Sequence, residues 1–181
     1  TCGLLGDWRM DEIVAWSGVA GEVKDSSSNA YNGTAVANAT TASASPAYTS
    51  GGNSTCGYGY FDRTGTLRTY VTLPTVPKMT DSFTVAAWIR STASTSQHQR
   101  IFVNDDSSNG WALSLADGTG TSIIRLFNRN VSFSGVSGGT VTDGNVALNT
   151  GAVVNSNTWY FVAAAIDTAK KTATIYVYNT A

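Results

Sequence analysis

The sequence feature that most constrains the fold is an alternating segment at residues 82–90. Alternate positions form an apolar set, Phe83, Val85, Ala87 and Ile89. The intervening positions are Thr84, Ala86, Trp88 and Arg90. A period of two is that of a pleated strand. Because the second set is small or aromatic rather than plainly polar, the segment is predicted to be a central strand, covered at least partly on both faces.

A second segment, residues 158–167, has the same mixture of aromatic residues, valine and alanine. We predict that these two segments are the inner strands of one β-sandwich. Further strands are predicted at residues 4–10, 56–61, 70–73, 100–103, 111–115, 123–127 and 172–178, with a weak one at 146–148. No segment has a convincing helical period of 3.6 residues, so the predicted fold class is all-β.

The composition narrows what such a fold can do. The chain has 181 residues, a net charge of −1 and 13% charged residues. A nucleic-acid partner is not expected, because such binders carry a basic face, and no apolar run is long enough to span a membrane. One domain over residues 1–181 is the expectation at this length. The many Ser, Thr, Asn and Gly residues favour a protein that is extracellular, at the cell surface or periplasmic.

Cys2 and Cys56 are the two cysteines of the chain. Two cysteines cannot form a metal site by themselves, and neither lies in a Cys-x-x-Cys motif. A disulfide between them would close a loop of roughly 55 residues and stabilise the fold by about 4 kcal/mol in the chain-entropy model. We predict this disulfide, which implies an oxidising compartment. Two buried free thiols are the alternative.

Four parts of the sequence, taken in order, resemble the laminin G-like, or concanavalin A-like, jelly-roll family in its bacterial branch. They are Asp-Ser-Ser-Ser-Asn-Ala-Tyr-Asn-Gly-Thr at residues 25–34, Tyr-Phe-Asp at 60–62 followed by Tyr-Val-Thr-Leu-Pro at 70–74, Ser-Phe-Thr-Val-Ala-Ala-Trp-Ile at 82–89, and Trp-Tyr-Phe-Val-Ala at 159–163 with Ala-Thr-Ile-Tyr-Val at 173–177. The resemblance implies a two-sheet antiparallel jelly-roll sandwich over nearly the whole chain.

The N-terminal segment is similar to a narrower group. Cys-Gly-Leu-Leu-Gly-Asp-Trp-Arg-Met-Asp-Glu at residues 2–12, with Cys-Gly-Tyr-Gly-Tyr at 56–60, resembles the domain of mannose-sensitive haemagglutinin pilus biogenesis proteins. Near the other end, family members usually have a glycine after Tyr-Val-Asp, where this chain has Tyr-Val-Tyr-Asn-Thr-Ala. The chain also stops about where a final strand is expected to begin. Either the closing strand comes from elsewhere in the chain, or the fragment is cut from a longer protein.

Calcium is the cofactor that the sequence favours. The family often holds one Ca²⁺ at its loop ends, and the resemblance implies Asp25 with Asn29 as ligands. Asp105 and Asn109 offer a second set of oxygen atoms, in a turn that resembles the start of an EF-hand loop but lacks the acid at the twelfth position. The alternative is that these side chains cap turns through hydrogen bonds to the backbone.

The acidic residues and the histidine do not form a catalytic motif. Hydrolysis of a glycosidic bond needs two close carboxylates, and the hydrolases of the family resemble one another in a Glu-x-Asp-x-Glu run. The two glutamates here, Glu12 and Glu22, do not lie in such a run. His98 is the one histidine and lies in a polar loop, where a solvated side chain is expected rather than a catalytic triad. The protein is therefore not expected to be an enzyme.

Aromatic side chains on strands are the candidates for ligand binding, because exposed rings stack on the apolar faces of sugars. The predicted ligand-binding residues are Tyr58, Tyr60, Trp88, Arg90 and Trp111, with Tyr178 as a further candidate and Arg100 and Arg125 nearby on strands. The alternative for the two tryptophans is a place in the core. Either a ligand or a loop over residues 135–157 is expected to cover the face that carries Trp88, and the loop is favoured.

These observations predict a non-catalytic recognition or adhesion module of a secreted or surface-exposed, pilus-associated bacterial protein. Its expected partner is a glycan or a surface protein. Two other functions stay open. One is a structural spacer without a small ligand, and the weaker one is a glycoside hydrolase of the same fold.

Overall fold

A computed structural model describes residues 3–42, 57–62, 67–77, 79, 81–92, 99–106, 109–115, 123–129, 139–142, 145–149, 154–170 and 172–179. The chain divides into two compact units, Thr1–Pro77 and Lys78–Ala181. Each unit is described by itself. The single domain expected over residues 1–181 stays a prediction, because compactness does not decide whether one unit folds without the other.

Among its described residues, the first unit contains four short strands, β1 (Thr34–Val36), β2 (Ala39–Ala42), β3 (Tyr58–Phe61) and β4 (Tyr70–Thr72). They form two antiparallel pairs, β1 with β4 and β2 with β3. The strands predicted at residues 56–61 and 70–73 are thereby confirmed. The strand predicted at residues 4–10 is wrong, because this segment forms one isolated bridge, between Trp8 and Asp25, rather than a ladder.

A small apolar cluster holds the first unit together. Its buried members are Trp16, Val23, Ala35 and Ala39, and Trp8, Met10 and Val71 pack against them. Gly59 allows a close approach here, since a Cβ atom at this position would lie 2.9 Å from the Met10 sulfur and 3.0 Å from the Trp16 ring. The cluster is modest, so the segment before β1 needs further interactions to hold its conformation.

Both glutamates of the chain supply such interactions by accepting hydrogen bonds from N–H groups. Glu12 accepts from the Trp16 indole at 3.1 Å and from the Lys24 backbone at 2.7 Å. Glu22 accepts from the backbone N–H groups of Ser17 and Gly18, each at 2.7 Å. Burial alone would raise the pKa of Glu22, but these backbone N–H donors outweigh it and lower the pKa below its ordinary value.

Asp25 makes the most complete set of hydrogen bonds in the first unit. Its Oδ1 accepts from the backbone N–H groups of Asp7 and Ser27, and its Oδ2 accepts from the Tyr31 N–H and the Ser27 hydroxyl, all at 2.8 Å. The side chain is buried. Burial would raise its pKa, but the four donors favour the charged form more strongly and lower the pKa. One carboxylate thus joins the N-terminal segment to the turn that precedes β1.

In its described part, the second unit contains eight strands in two antiparallel sheets. They are β5 (Phe83–Arg90), β6 (Gln99–Asp105), β7 (Gly110–Leu115), β8 (Ile124–Arg129), β9 (Gly139–Thr142), β10 (Asn145–Asn149), β11 (Trp159–Asp167) and β12 (Thr172–Asn179). One sheet has the order β6-β7-β8-β10-β9 and the other the order β12-β11-β5. The predicted strands of this unit are confirmed, including the weak one at 146–148, and β9 is additional.

The core of the second unit lies between these two sheets. The five-stranded sheet and the segment before β11 contribute Leu113, Leu115, Ile124, Leu126 and Val154, and the three-stranded sheet contributes Tyr160, Val162, Ala164, Ile166 and Ala173. The apolar set predicted for β5, Phe83, Val85, Ala87 and Ile89, packs against this core and is confirmed. The fold is therefore an all-β antiparallel sandwich, as the sequence predicts.

Two expectations about β5 are wrong. Among the described strands β5 pairs with β11 alone, so it is an edge strand of its sheet rather than a central one. Its second face, which carries Thr84, Ala86 and Trp88, is exposed instead of covered by residues 135–157. Part of that stretch forms β9 and β10, which extend the five-stranded sheet.

The different burial of two valines in the second unit predicts a large difference in the stability lost when each is changed to alanine. Val162 is fully buried between the sheets, whereas the Val103 side chain is 47% exposed. Val162→Ala is expected to lower the free energy of unfolding by about 2 kcal/mol, because it removes two buried methyl groups and leaves a cavity. Val103→Ala is the matched control and should cost less than about 0.5 kcal/mol. Urea unfolding would measure both, and equal losses would contradict this description of the core.

Asp25 predicts a pH dependence of stability. Because its pKa is lowered by folding, its contribution is present above the unfolded-state pKa of about 3.9 and is lost as pH falls through the lower folded-state pKa. Asp25→Asn is expected to cost about 2 kcal/mol at pH 7, since an amide nitrogen cannot accept the Tyr31 N–H. It should also flatten the acid limb of the stability curve. Asp11→Asn, at an exposed position, is the control; parallel acid limbs for both variants would refute the assignment.

Candidate functional site

The outer face of the three-stranded sheet is the most unusual surface of the second unit. Strand residues alternate between faces, so the positions between the core residues of β5, β11 and β12 point away from the core. We call this surface the aromatic face. It is formed by Thr84, Ala86, Trp88, Arg90, Phe161, Ala163, Ala165, Thr174, Tyr176 and Tyr178.

The strand register arranges this face in rows. Phe161 lies between Trp88 on one neighbouring strand and Tyr178 on the other. The Trp88 and Phe161 rings are 5.3 Å apart between centroids and are tilted by 58°, a favourable aromatic geometry. In the next row, Ala163 lies between Ala86 and Tyr176. Aromatic side chains therefore stand around a floor of alanines.

Three of these aromatic side chains are largely exposed to solvent. The exposed fraction is 45% for Trp88, 57% for Tyr176 and 64% for Tyr178. Arg90 is also exposed and ends the same face, opposite Trp159. A contiguous group of exposed aromatic residues on a strand surface is typical of an interaction site, because isolated exposed apolar residues are common but clustered ones are not. The geometry thus provides stacking surfaces, a cation and small residues on one rigid sheet.

The predicted ligand-binding residues fall in three places. Trp88 and Arg90 lie together on the aromatic face. Trp111 is 3% exposed, and its ring stacks on Phe102 with centroids 5.2 Å apart. A ligand cannot reach that ring, so this part of the prediction is wrong and the core alternative is confirmed for Trp111. Tyr58 and Tyr60 lie on β3 in the first unit, and their role in binding stays a prediction.

Two residues of the aromatic face were not selected from the sequence. Phe161 and Tyr176 lie in segments that were correctly predicted as strands, at positions that alternate with the core. The signal was available in principle, because Phe161 has the opposite parity to Tyr160 and Val162. It could be used only once the register of β11 between β5 and β12 was known.

The first predicted calcium position does not fit a cation. Both carboxylate oxygens of Asp25 already accept two hydrogen bonds each from the chain. The amide nitrogen of Asn29 donates to the backbone oxygens of Leu4 and Leu5. A calcium ion needs free oxygen ligands, so the turn-capping alternative describes Asp25 better.

The second predicted calcium position is the hairpin between β6 and β7. Asp106 and Asn109 close it, because the Asn109 N–H donates to the Asp106 carboxylate at 2.7 Å and the Asp106 N–H donates to the Asn109 oxygen at 3.0 Å. Gly110 follows with a φ of +123°, and a Cβ atom there would collide with the Asn104 oxygen. In the described part of the chain, no three His, Cys, Asp or Glu residues are grouped to hold a metal. Calcium at Asp105 and Asn109 stays a prediction.

Two other predicted features fall on residues outside those that the structure describes. Cys2, Cys56 and His98 all lie there, so the disulfide and the solvated histidine stay predictions. The described residues contain no helix that is long and apolar enough to cross a membrane.

Comparison with known families gives a match to one model. Residues 62–178 match the Laminin_G_3 family, whose description is the concanavalin A-like lectin/glucanases superfamily. Searches of curated proteins and of solved structures return no match. The matched range is more than half of the chain and contains both sheets of the sandwich almost to the end of β12. The chain therefore belongs to the laminin G-like branch of the concanavalin A-like lectin/glucanases superfamily.

Proposed function

We propose that this protein is a non-catalytic recognition module that binds a glycan on its aromatic face. The observation that carries the proposal is the exposure of Trp88, Tyr176 and Tyr178 around a floor of alanines. Lectin-like and laminin G-like domains fit a binding or adhesion role. The family by itself does not distinguish a glycan from a protein partner. The choice of a glycan therefore rests on the dimensions and chemistry of the aromatic face.

The dimensions and chemistry of the aromatic face favour a sugar chain. Trp88 and Tyr178 are two strands apart, which is about 10 Å at the usual strand spacing. Their rings can therefore contact two successive sugar units rather than one. Aromatic rings stack on the C–H faces of sugars, while Arg90, Thr84 and Thr174 can hydrogen-bond to hydroxyl groups. Because all these residues are on paired strands, little ordering is needed on binding.

Catalysis is not part of the proposal, for two reasons. Among the described residues of its three strands, the aromatic face carries no pair of acids, since Asp167 at the end of β11 is the one acidic residue with the outward parity. Glycoside hydrolysis needs a pair of carboxylates on either side of the bond. Glu12 and Glu22, the two glutamates of the chain, are both engaged by N–H donors in the first unit. The backbone donors lower the pKa of Glu22, so its carboxylate is a weak base.

The cellular setting in the proposal is that of a secreted or surface-exposed bacterial protein associated with a pilus. It is supported by the similarity of residues 2–12 and 56–60 to pilus biogenesis proteins and by the Ser-, Thr- and Asn-rich composition. An extracellular, cell-surface or periplasmic location would also suit a disulfide between Cys2 and Cys56.

A glycan array, followed by calorimetric titration of the best oligosaccharide found on it, tests the aromatic face. Trp88→Ala is expected to weaken binding by at least tenfold, because it removes one of the stacking rings. Trp88→Phe should recover part of the affinity. Tyr178→Ala should weaken binding as well, in proportion to the lost ring contact.

Val103→Ala is the control for this experiment. Val103 is 47% exposed but lies on β6, in the other sheet of the same unit, so its loss should leave affinity unchanged. If no glycan binds, or if Trp88→Ala binds as well as the unmodified protein, the glycan proposal fails. Capture of a defined pilus subunit that is lost in Trp88→Ala would instead identify a protein partner.

A further inference from the structure

The other sheet of the sandwich has a different outer face, and a β-bulge shapes it. The pairing of β6 with β7 shifts between Arg100 and Phe102. Ile101 packs against the core, and Phe102 stacks on the buried Trp111, so two consecutive residues of β6 face inward. A bulge of this kind changes the parity of the strand beyond it. Arg100 and Val103, three positions apart, consequently reach the same outer face.

The bulge places Arg100 in a row with a second arginine. Ser114 on β7 pairs with Arg100 on one side and with Arg125 on the other. Ser114 is fully buried, and its hydroxyl accepts a hydrogen bond of 2.7 Å from Arg100 Nη1. Two cations therefore flank one small buried residue, with a separation of about 10 Å between their backbones, as expected for strands two apart.

Arg125 is held in place but has a hydrogen-bonding group left over. Its guanidinium carbon lies 5.6 Å from the centroid of the Phe127 ring, a cation–π contact. Its Nε is buried and has no hydrogen-bond partner. Neither ion pair between described residues, Arg9 with Asp7 and Lys170 with Asp167, involves it. A buried donor without an acceptor is costly.

A cavity of about 130 Å³ opens between these side chains. It is lined by Arg100, Val103, Asp105, Ala112, Arg125 and Phe127. A water molecule takes about 30 Å³ of liquid volume, so the cavity can hold a carboxylate group and roughly the two or three carbon atoms next to it. Arg100 and Arg125 lie at one end of the cavity. The next row of paired residues, Val103, Ala112 and Phe127, is apolar.

We propose that this cavity binds an organic carboxylate, which Arg100 and Arg125 hold while Val103 and Phe127 border its carbon skeleton. The planar guanidinium matches a carboxylate through two parallel hydrogen bonds. Asp105 lies at the opposite end of β6 from Arg100. A free small acid and the carboxylate of a uronic acid share this chemistry.

This site is independent of the aromatic face, because the two lie on opposite sheets of the sandwich. The experiment is a titration of the ¹⁵N-labelled full chain, followed through the Arg125 Nε–Hε signal in the NMR spectrum. Sodium acetate and sodium D-glucuronate are the two carboxylate probes. D-glucose, which lacks only the carboxylate of glucuronate, is the neutral control, and sodium sulfate is the inorganic control.

Both carboxylates are expected to shift the Arg125 signal, and D-glucose is expected to leave it in place. Arg125→Lys keeps the charge but loses the planar donor pair, so carboxylate affinity, measured from backbone signals of β7 and β8, should fall at least tenfold. Arg90→Lys and Trp88→Ala, both on the opposite sheet of the same unit, should leave it unchanged, which separates this site from the glycan site.

Three results would overturn the proposal. They are no shift with either carboxylate, an equal shift with D-glucose, and sulfate binding as tight as acetate. A thermal melt of Arg125→Lys matching that of the unmodified protein would show that its lost affinity is not lost folding. If that variant is unfolded, Arg100→Lys, at an exposed position, provides the same test.

Discussion

The second unit depends on the apolar contact between its two sheets, and β11 contributes most to it. Tyr160, Val162, Ala164 and Ile166 face the core from this one strand. Since side chains alternate along a strand, these four positions determine that Phe161, Ala163 and Ala165 face outward. A slip of one residue would exchange the two sets. The aromatic face is thus a consequence of the core, and its rigidity comes from the same packing.

The sequence predicted this sandwich well, because alternation is clear in β5 and β12 and because β11 is a nearly continuous run of aromatic and aliphatic residues. It did not predict which tryptophan is exposed. Trp88 and Trp111 both lie on strands with apolar neighbours, and residue type alone assigns both to a core. The difference is parity: Trp111 shares its face with Leu113 and Leu115, whereas Trp88 lies opposite to Phe83 and Ile89. The prediction that a loop covers the outer face of β5 was wrong for a related reason, since an apolar outer face can serve binding as well as burial.

Other features of the fold could not be predicted from the hydrophobic pattern, because hydrogen bonds to side chains replace regular strand pairing there. Residues 4–10 look like a strand, but the Asp7 N–H donates to the Asp25 carboxylate rather than to a ladder. The sequence does not reveal the bulge in β6 either, since the polar and apolar residues of 99–105 fit one strand parity no better than the other. Only the observed pairing shows that Arg100 faces Ser114. The contacts of the Asp25 carboxylate and the bulge in β6 depend on residues that are far apart in the sequence. A local hydrophobic period therefore does not encode them.

The sandwich therefore presents two chemically different outer faces, one aromatic and one cationic. Stacked sheets lie about 10 Å apart, and a filled core separates the two faces, so no small ligand can contact both at once. Their binding energies should therefore be additive for separate ligands, as for residues that share no partners. A branched or polymeric acidic glycan, in contrast, could engage each face on different molecules of the protein. That would raise the overall avidity without a new contact on either face, and it is an arrangement suited to adhesion.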